Sequence, residues 1–264
     1  MDDLARFNRE RWNALVAAGV LYSRPVLEMD EEKARQMVDE EGLLGDVRGK
    51  QVLLLGGGGG QQSAAFGFLG AQVTVIDLSD GQLEKDRLAA AHYGYSLNIQ
   101  QGDMRDLSRF ADASFDIVWQ PYSINFVPDV RPVFVGAARV VQPGGWYVVM
   151  WHNPFTQAVD DAGWDAEHGY PLKHPYRDGE IDQSIFQNPN WTFETEDGKP
   201  VEVAGPREFR HTMRTFLNSL IDSGFVIRRF SEHLTWDENP EPGTWEHYKL
   251  VAPPYLTVWT KRGD

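Results

Sequence analysis

Apolar residues in this chain change period along its length. Leu4 to Val16 carries them at helical spacing and Glu31 to Val38 repeats the pattern, which predicts a helical lead-in over the first 44 or so residues. From Gln51 onward, apolar runs of strand length alternate with helix-compatible segments. Strands are predicted near 51–55, 72–77, 97–101, 115–120 and 145–150, and helices near 61–69, 80–93 and 131–140. Such alternation implies right-handed crossovers, a doubly wound parallel sheet and ligands at the carboxyl ends of the strands. After residue 150 the rhythm breaks. A helix at 207–223 leads through Ser-Gly-Phe to a strand at 225–232, and Pro254-Tyr-Leu-Thr-Val-Trp-Thr260 closes the chain.

The interval 151–206 is too long for an ordinary connection. Trp151, Phe155, Trp164, Tyr170, Tyr176, Phe186, Trp191 and Phe193 make it too aromatic for a disordered linker. Within it, Trp191 to Val203 alternates around Asp197-Gly198 and reads as a hairpin. The chain thus divides into a helical cap (1–44), an α/β core (45–150 and 207–264) and an inserted segment (151–206). The insertion is read as a lid and substrate wall above the fifth strand, with a structural flap or a dimer contact as the alternative.

The densest chemical signal is Gln51-Val-Leu-Leu-Leu followed by five consecutive glycines and Gln61. A buried strand, a bare-backbone loop and a helix start let a ligand approach the main chain and meet the helix's unpaired N–H groups. The second strand, Gln72 to Asp77, ends in an acid placed to accept hydrogen bonds from ribose hydroxyls. A dinucleotide site requires Gly-x-Gly-x-x-Gly, and starting at Gly56, Gly57 or Gly58 puts Gln61, Gln62 or Ser63 in the last place. Gly56-x-Gly58-x-Gly60 does fit a glycine pattern.

That pattern resembles the first motif of class I S-adenosylmethionine-dependent methyltransferases. Gln101-Gly-Asp-Met-Arg-Asp106 resembles the family's third-strand tip, and Ser114 to Gln120 its fourth strand. Ala138 to Met150, with Pro143-Gly-Gly145, resembles the helix, turn and fifth strand that complete the core. The ordered set covers about half the chain. The resemblance implies a Rossmann-like, mostly parallel seven-stranded sheet with an antiparallel last strand, and S-adenosylmethionine as cofactor. It implies that Gly56, Gly57, Gly58, Gly60 and Gln61 approach the methionine part and that Asp77 with Leu78 takes the ribose. Gly102, Asp103 and Met104 would hold adenine, and Gln120, Pro121 and Tyr122 would border the methyl group. The family often carries an acid two residues before the first glycine, and here that position is Leu54. Either backbone groups and Gln61 take over its contact, or the amino-acid end is held less tightly. In related folds a lead-in such as Leu21-Tyr-Ser-Arg-Pro25 closes over the cofactor through a residue like Tyr22 or Arg24; a surface anchor is the alternative.

Composition narrows the partners. Lys+Arg 25 against Asp+Glu 39 gives a net charge of −14, and no basic stripe is long enough to track phosphates, so nucleic acid is not expected as a substrate. No apolar run has bilayer-spanning length and the N-terminus lacks a basic-then-apolar signal pattern, so no membrane partner and a cytoplasmic location are expected. Without cysteine there is no disulfide, thiolate nucleophile or cysteine metal site. Nothing in the sequence sets an oligomeric state.

Methyl transfer asks for in-line alignment, exclusion of water and, for some acceptors, removal of a proton. Tyr122 after the fourth strand, His152 after the fifth and His211 at the start of the last helix are the candidate acid–base groups. His168 and His174 lie among Asp160, Asp161 and Asp165, but their spacing matches no helical His pair, and no metal site is expected. The predicted activity is methyl transfer to a small-molecule substrate. Two rival readings are a non-catalytic protein that binds the cofactor for regulation and, against the glycine spacing, a nucleotide-dependent oxidoreductase.

Overall fold

The computed structural model describes residues 1–157, 159, 163–172, 174–182, 184, 190–194 and 198–263. The expectations placed on Asp160, Asp161, Phe186 and Asp197 lie outside the described residues. The lead-in consists of α1 (Asp3–Ala17), a 3₁₀ turn (Leu21–Ser23) and α2 (Glu31–Val38). Asp2 caps α1 by accepting the Ala5 N–H at 2.9 Å, and Asp30 caps α2 by accepting the Lys33 N–H at 2.8 Å.

The core follows as β1 (Gln51–Leu55), α3 (Gln62–Phe68), β2 (Gln72–Asp77), α4 (Asp80–Tyr93), β3 (Leu97–Gln101), β4 (Phe115–Gln120), α5 (Arg131–Val140) and β5 (Val141–His152). The inserted segment holds β6 (Gly179–Glu180), β7 (Trp191–Glu194) and β8 (Pro200–Val203), and leads to β9 (Phe209–Arg210). The chain ends with α6 (Met213–Asp222), β10 (Phe225–Glu232), α7 (Trp245–Val251) and β11 (Tyr255–Arg262).

Seven strands form one sheet in the order β3-β2-β1-β4-β5-β11-β10, and β11 runs antiparallel to both neighbours. The winding direction reverses between β1 and β4. Their carboxyl ends therefore diverge into the crevice where ligands bind in open α/β sheets.

Successive residues of β1 and β4 point to opposite faces, and both faces are apolar. Leu53, Leu55 and Val118 join Phe134, Phe216 and Leu220 on one side; Val52, Leu54, Ile117 and Trp119 join Ala34, Val38 and Phe66 on the other. At the β5–α6 contact, the buried rings of Trp151 and Phe216 stack 3.9 Å apart and 4° from parallel.

Three departures from the sequence reading have local causes. The helix expected at 207–223 begins at Met213, because Thr212 caps it by accepting the Thr215 N–H at 3.3 Å. The preceding Phe209–Arg210 pairs instead with β6. The Pro143-Gly-Gly turn lies inside β5 rather than before it: Phe115 faces Val141 while Ile117 faces Trp146, so the extra residues loop out as a bulge. β5 also continues through His152, held by pairing with Tyr255. Helix α7, absent from the sequence reading, is capped by Thr244. No described helix is long and apolar enough to cross a membrane.

Candidate active site

A cavity of about 710 Å³ opens at the carboxyl ends of β1, β2, β3 and β4. One end is built by the glycine loop. Gly56 N–H donates to the Ile76 carbonyl at 2.8 Å, which brings the loop beside the tip of β2. There the Asp77 carboxylate accepts Gly58 N–H at 3.1 Å and Ser79 N–H at 2.8 Å. A Cβ on Gly58 would lie 2.6 Å from the Gln82 Cβ and 2.9 Å from Asp77 Oδ2, so no other residue fits between loop and acid. Gly60 answers to packing instead. Its φ is +72°, and a Cβ there would meet the Lys85 carbonyl at 2.6 Å and Pro25 at 2.8 Å.

The loop has a second anchor that sequence reasoning missed. Asp86, fully buried on α4, accepts Gly59 N–H at 3.2 Å and Gly60 N–H at 3.1 Å, and also the Ser63 hydroxyl. Burial, opposed by the Ser63 hydrogen bond and reinforced by nearby Asp77, pushes its carboxyl up to about 7. Its signal was present: a charged residue among apolar positions on a helix facing the sheet.

Gly56, Gly58, Gln61, Asp77 and Leu78 line the cavity, whereas Gly57 and Gly60 do not. Leu54, where an acid is often found, is completely buried in the core. Gln61 spends its amide N–H groups on the lead-in, donating to the Leu21 carbonyl at 3.1 Å and the Arg24 carbonyl at 3.3 Å. This draws Tyr22 into the cavity wall, while Arg24 Nε turns back to the Gly19 carbonyl at 2.8 Å.

Asp77 supplies the test of whether a nucleoside cofactor fits. The carboxylate is buried to 9% exposure at the cavity wall, and burial pushes its pKa up to about 6 against its backbone donors. Among the described residues it has amide donors and no cation. Ribose hydroxyls supply the additional donors that such a desolvated carboxylate requires, and the residues present fit the group.

At the tip of β3, Gly102, Asp103 and Met104 also line the cavity. Asp103 is held bidentately by Arg105, whose Nε lies 3.0 Å from both carboxylate oxygens. The same guanidinium reaches Asp2 at 2.9 and 3.0 Å, tying the start of α1 to the tip of β3.

The opposite end of the cavity gathers groups distant in sequence. Tyr122, in a 3₁₀ turn (Tyr122–Phe126) after β4, places its hydroxyl 2.8 Å from His152 Nδ1 and 2.9 Å from Glu208 Oε1. Burial holds Glu208 up at about 7 despite the Tyr122 hydrogen bond, drives His152 down to about 3 with help from the Arg210 charge, and raises Tyr122 well above its usual range. His152 is therefore a neutral imidazole across the physiological range. Glu208 was not foreseen. Phe209 is the single apolar residue in Arg207-Glu-Phe-Arg-His211, so no alternation marks the segment as extended and sets Glu208 apart from Phe209.

The extended backbone at Phe209–Arg210 separates His211 from the site. Buried to 2% exposure, it does not line the cavity, and burial lowers its pKa to about 4 beside the backbone of Ile124 and Val127. Gln120 also lies behind the wall, with no exposure. It donates to Ser123 Oγ at 3.2 Å and accepts the Tyr147 hydroxyl at 2.6 Å, so it braces Ser123 rather than facing the cavity; Pro121 does line it.

Aromatic rings roof this end. Trp12 of α1 meets Phe126 edge-on at 5.2 Å and Trp191 at 6.0 Å, and Tyr22 meets Phe193 at 5.6 Å. Trp191 and Phe193 come from β7, so the inserted segment contributes to the cavity wall. His168, outside this site, pairs with Asp165 at 2.7 Å. Among the described residues no three His, Cys, Asp or Glu side chains are grouped to hold a metal ion.

Comparison with known proteins agrees with this geometry. Residues 53–149 match the methyltransferase domain family. The chain is 30% identical over 244 residues to an uncharacterized methyltransferase, YbaJ, of Bacillus subtilis, covering 88% of this chain and 91% of that one. The chain belongs to the methyltransferases, in the class I, Rossmann-like group. It is also 37% identical over 98 residues to a ubiquinone biosynthesis O-methyltransferase of Thiobacillus denitrificans, spanning 42% of that protein. In fold it is similar to the crystal structure of an S-adenosylmethionine dependent methyltransferase from Mesorhizobium loti, with a TM-score of 0.65, 24% identity and coverage of 90% of this chain and 100% of that one.

Proposed function

We propose that the protein transfers a methyl group from S-adenosylmethionine to a small-molecule acceptor. The observation that carries this reading is the Asp77 carboxylate, desolvated, without a cation among the described residues and locked over Gly58 where the sheet reverses. Gly56 and Gly58 give the methionine part close access to the backbone, Asp77 takes the ribose hydroxyls, and Met104 with Asp103 flanks adenine. When bound, the cofactor supplies a sulfonium methyl that is already electrophilic. The protein's own work is alignment and exclusion of water. Tyr22, Trp12 and the β7 aromatics cover the acceptor side, and the inserted segment selects the acceptor. A small-molecule acceptor is supported by the partial relative's name and by a chain charge of −14, which disfavours nucleic acid.

Calorimetric titration of the purified protein with S-adenosylmethionine, S-adenosylhomocysteine and NADH tests the proposal. Binding of the two sulfur nucleosides without NADH is the expected result. Binding of NADH alone, or of none of the three, overturns it.

A further inference from the structure

Resting on that reading, the far end of the cavity also carries information about the acceptor. Tyr122 has one hydroxyl proton, and with Glu208 ionised that proton goes to Glu208 Oε1, 2.9 Å away. His152 Nδ1, 2.8 Å away on the other side, must then donate to the Tyr122 oxygen. That fixes the imidazole tautomer: Nδ1 carries the hydrogen and Nε2 keeps a lone pair. Nε2 is buried and, among the described residues, has no hydrogen-bond partner. A buried acceptor left unpaired at a cavity wall costs free energy until a donor arrives.

We propose that His152, Tyr122 and Glu208 form a proton relay running from the acceptor to Glu208, and that the acceptor presents an N–H or O–H nucleophile and carries no negative charge. As the nucleophile's lone pair forms the new bond to the methyl carbon, the carbon–sulfur bond breaks and its electron pair stays on sulfur. The nucleophile's proton passes to His152 Nε2, the Nδ1 proton to the Tyr122 oxygen, and the Tyr122 proton to Glu208. Glu208 ends neutral and returns its proton to solvent after release.

The division of labour follows from the surroundings. Neutral His152, facing the Arg210 charge, passes a proton on without storing it. Glu208, facing Tyr122 and Tyr255 and desolvated by burial, is a stronger base than an ordinary carboxylate. Tyr22, bonded to Tyr255, adds no charge to this end.

The charge limit on the acceptor comes from the wall. Among the described lining residues the one guanidinium or ammonium is Arg105, which is committed to Asp103 and Asp2. Glu208 at this end and Asp77 at the other line the cavity without cationic partners among the described residues. Arg210, whose charge acts on His152, does not line the cavity and spends its N–H groups on the Pro175 and Gln157 carbonyls, so an anionic acceptor would be buried near Glu208 with no cation among the described lining residues to pair with, whereas a neutral or cationic aromatic one meets the rings of Trp12, Tyr22 and Trp191.

Three measurements test this. The ¹⁵N spectrum of histidine-labelled protein, with the His152 signal assigned through His152→Asn, is recorded with and without S-adenosylhomocysteine. A neutral ring protonated on Nδ1 is expected at pH 8.5, where Glu208 is ionised; a proton on Nε2, or an imidazolium, overturns the relay. Because the cofactor-free spectrum reports the tautomer, a failure of cofactor binding would sink the methyltransferase reading separately.

The second measurement gives the S-adenosylhomocysteine complex three phenols: tyramine, phenol and 4-hydroxybenzoate. Tyramine and phenol should bind at least ~10-fold more tightly than the carboxylate, about 1.4 kcal/mol. Preference for 4-hydroxybenzoate, equal affinity for all three, or no binding at millimolar concentration overturns the acceptor class. With S-adenosylmethionine and the tightest-binding probe, Glu208→Gln should slow methyl transfer about 100-fold with S-adenosylhomocysteine affinity unchanged. An undiminished rate, or no transfer by the unaltered protein, counts against the relay.

Discussion

The two ends of the cavity are built by different means. At the cofactor end, the groups that hold the glycine loop come from one stretch of chain, Gly56 to Asp86. Asp77 and Asp86 there lock the glycine loop through backbone N–H groups at 3.1–3.2 Å. At the acceptor end, Tyr122 and His152 are brought together by the pairing of β4 with β5, and Glu208 joins them from the segment before α6, after the inserted segment. The first end is a local motif with a fixed spacing. The second is a tertiary assembly drawn from three separate segments.

Substitutions can separate the two ends, and the largest expected effect is at Asp77. Asp77→Ala removes the ribose acceptor and strands the Gly58 and Ser79 amides. S-adenosylhomocysteine affinity should fall ~100-fold or more, about 3 kcal/mol, as read by calorimetry. Gly60→Ala comes next. It forces a Cβ against the Lys85 carbonyl at a φ of +72°, so denaturant unfolding should show a loss of about 2 kcal/mol, together with weaker cofactor binding.

A pH experiment addresses the acceptor end. Glu208 is pushed up to about 7 from 4.5, so the folded protein keeps a proton that the unfolded chain has already released. The corresponding stabilisation is present below the ordinary glutamate range and is lost as pH rises toward 7. Glu208→Gln should flatten the decline in stability between pH 4.5 and 7 by about 1–2 kcal/mol, measured by denaturation at stepped pH, without altering cofactor affinity. A decline of unchanged size would show that the carboxylate is solvated in solution. The smallest effect belongs to the tether between the lead-in and the adenine end. Asp2→Asn breaks the half-exposed pair with Arg105 but keeps a capping side chain, and should cost no more than about 1 kcal/mol in thermal unfolding.

The comparison also explains what could be read before the structure. The glycine loop, Asp77, Asp103 and the strand rhythm were legible because what places them lies within a few residues or one βαβ unit. Tyr122 and His152 were legible as residues following strands, and both reach the cavity. Glu208 was hidden because a helix was assigned to a segment that Thr212 truncates, and an acid at a helix start has an ordinary explanation in the dipole. His211 was misjudged for the same reason, since extended backbone turns it to the opposite side from Glu208. Gln120 follows the alternation of β4 into the core, where it supports the site through Ser123. Asp86 was passed over as one charge on a polar helix, although its position faces the loop.

The most direct test is a side-by-side titration of S-adenosylhomocysteine into the unaltered protein, Asp77→Ala and Glu208→Gln. The cofactor-site assignment predicts tight binding to the first, a ~100-fold loss in the second and unchanged affinity in the third. Equal affinity in the unaltered protein and Asp77→Ala would contradict it.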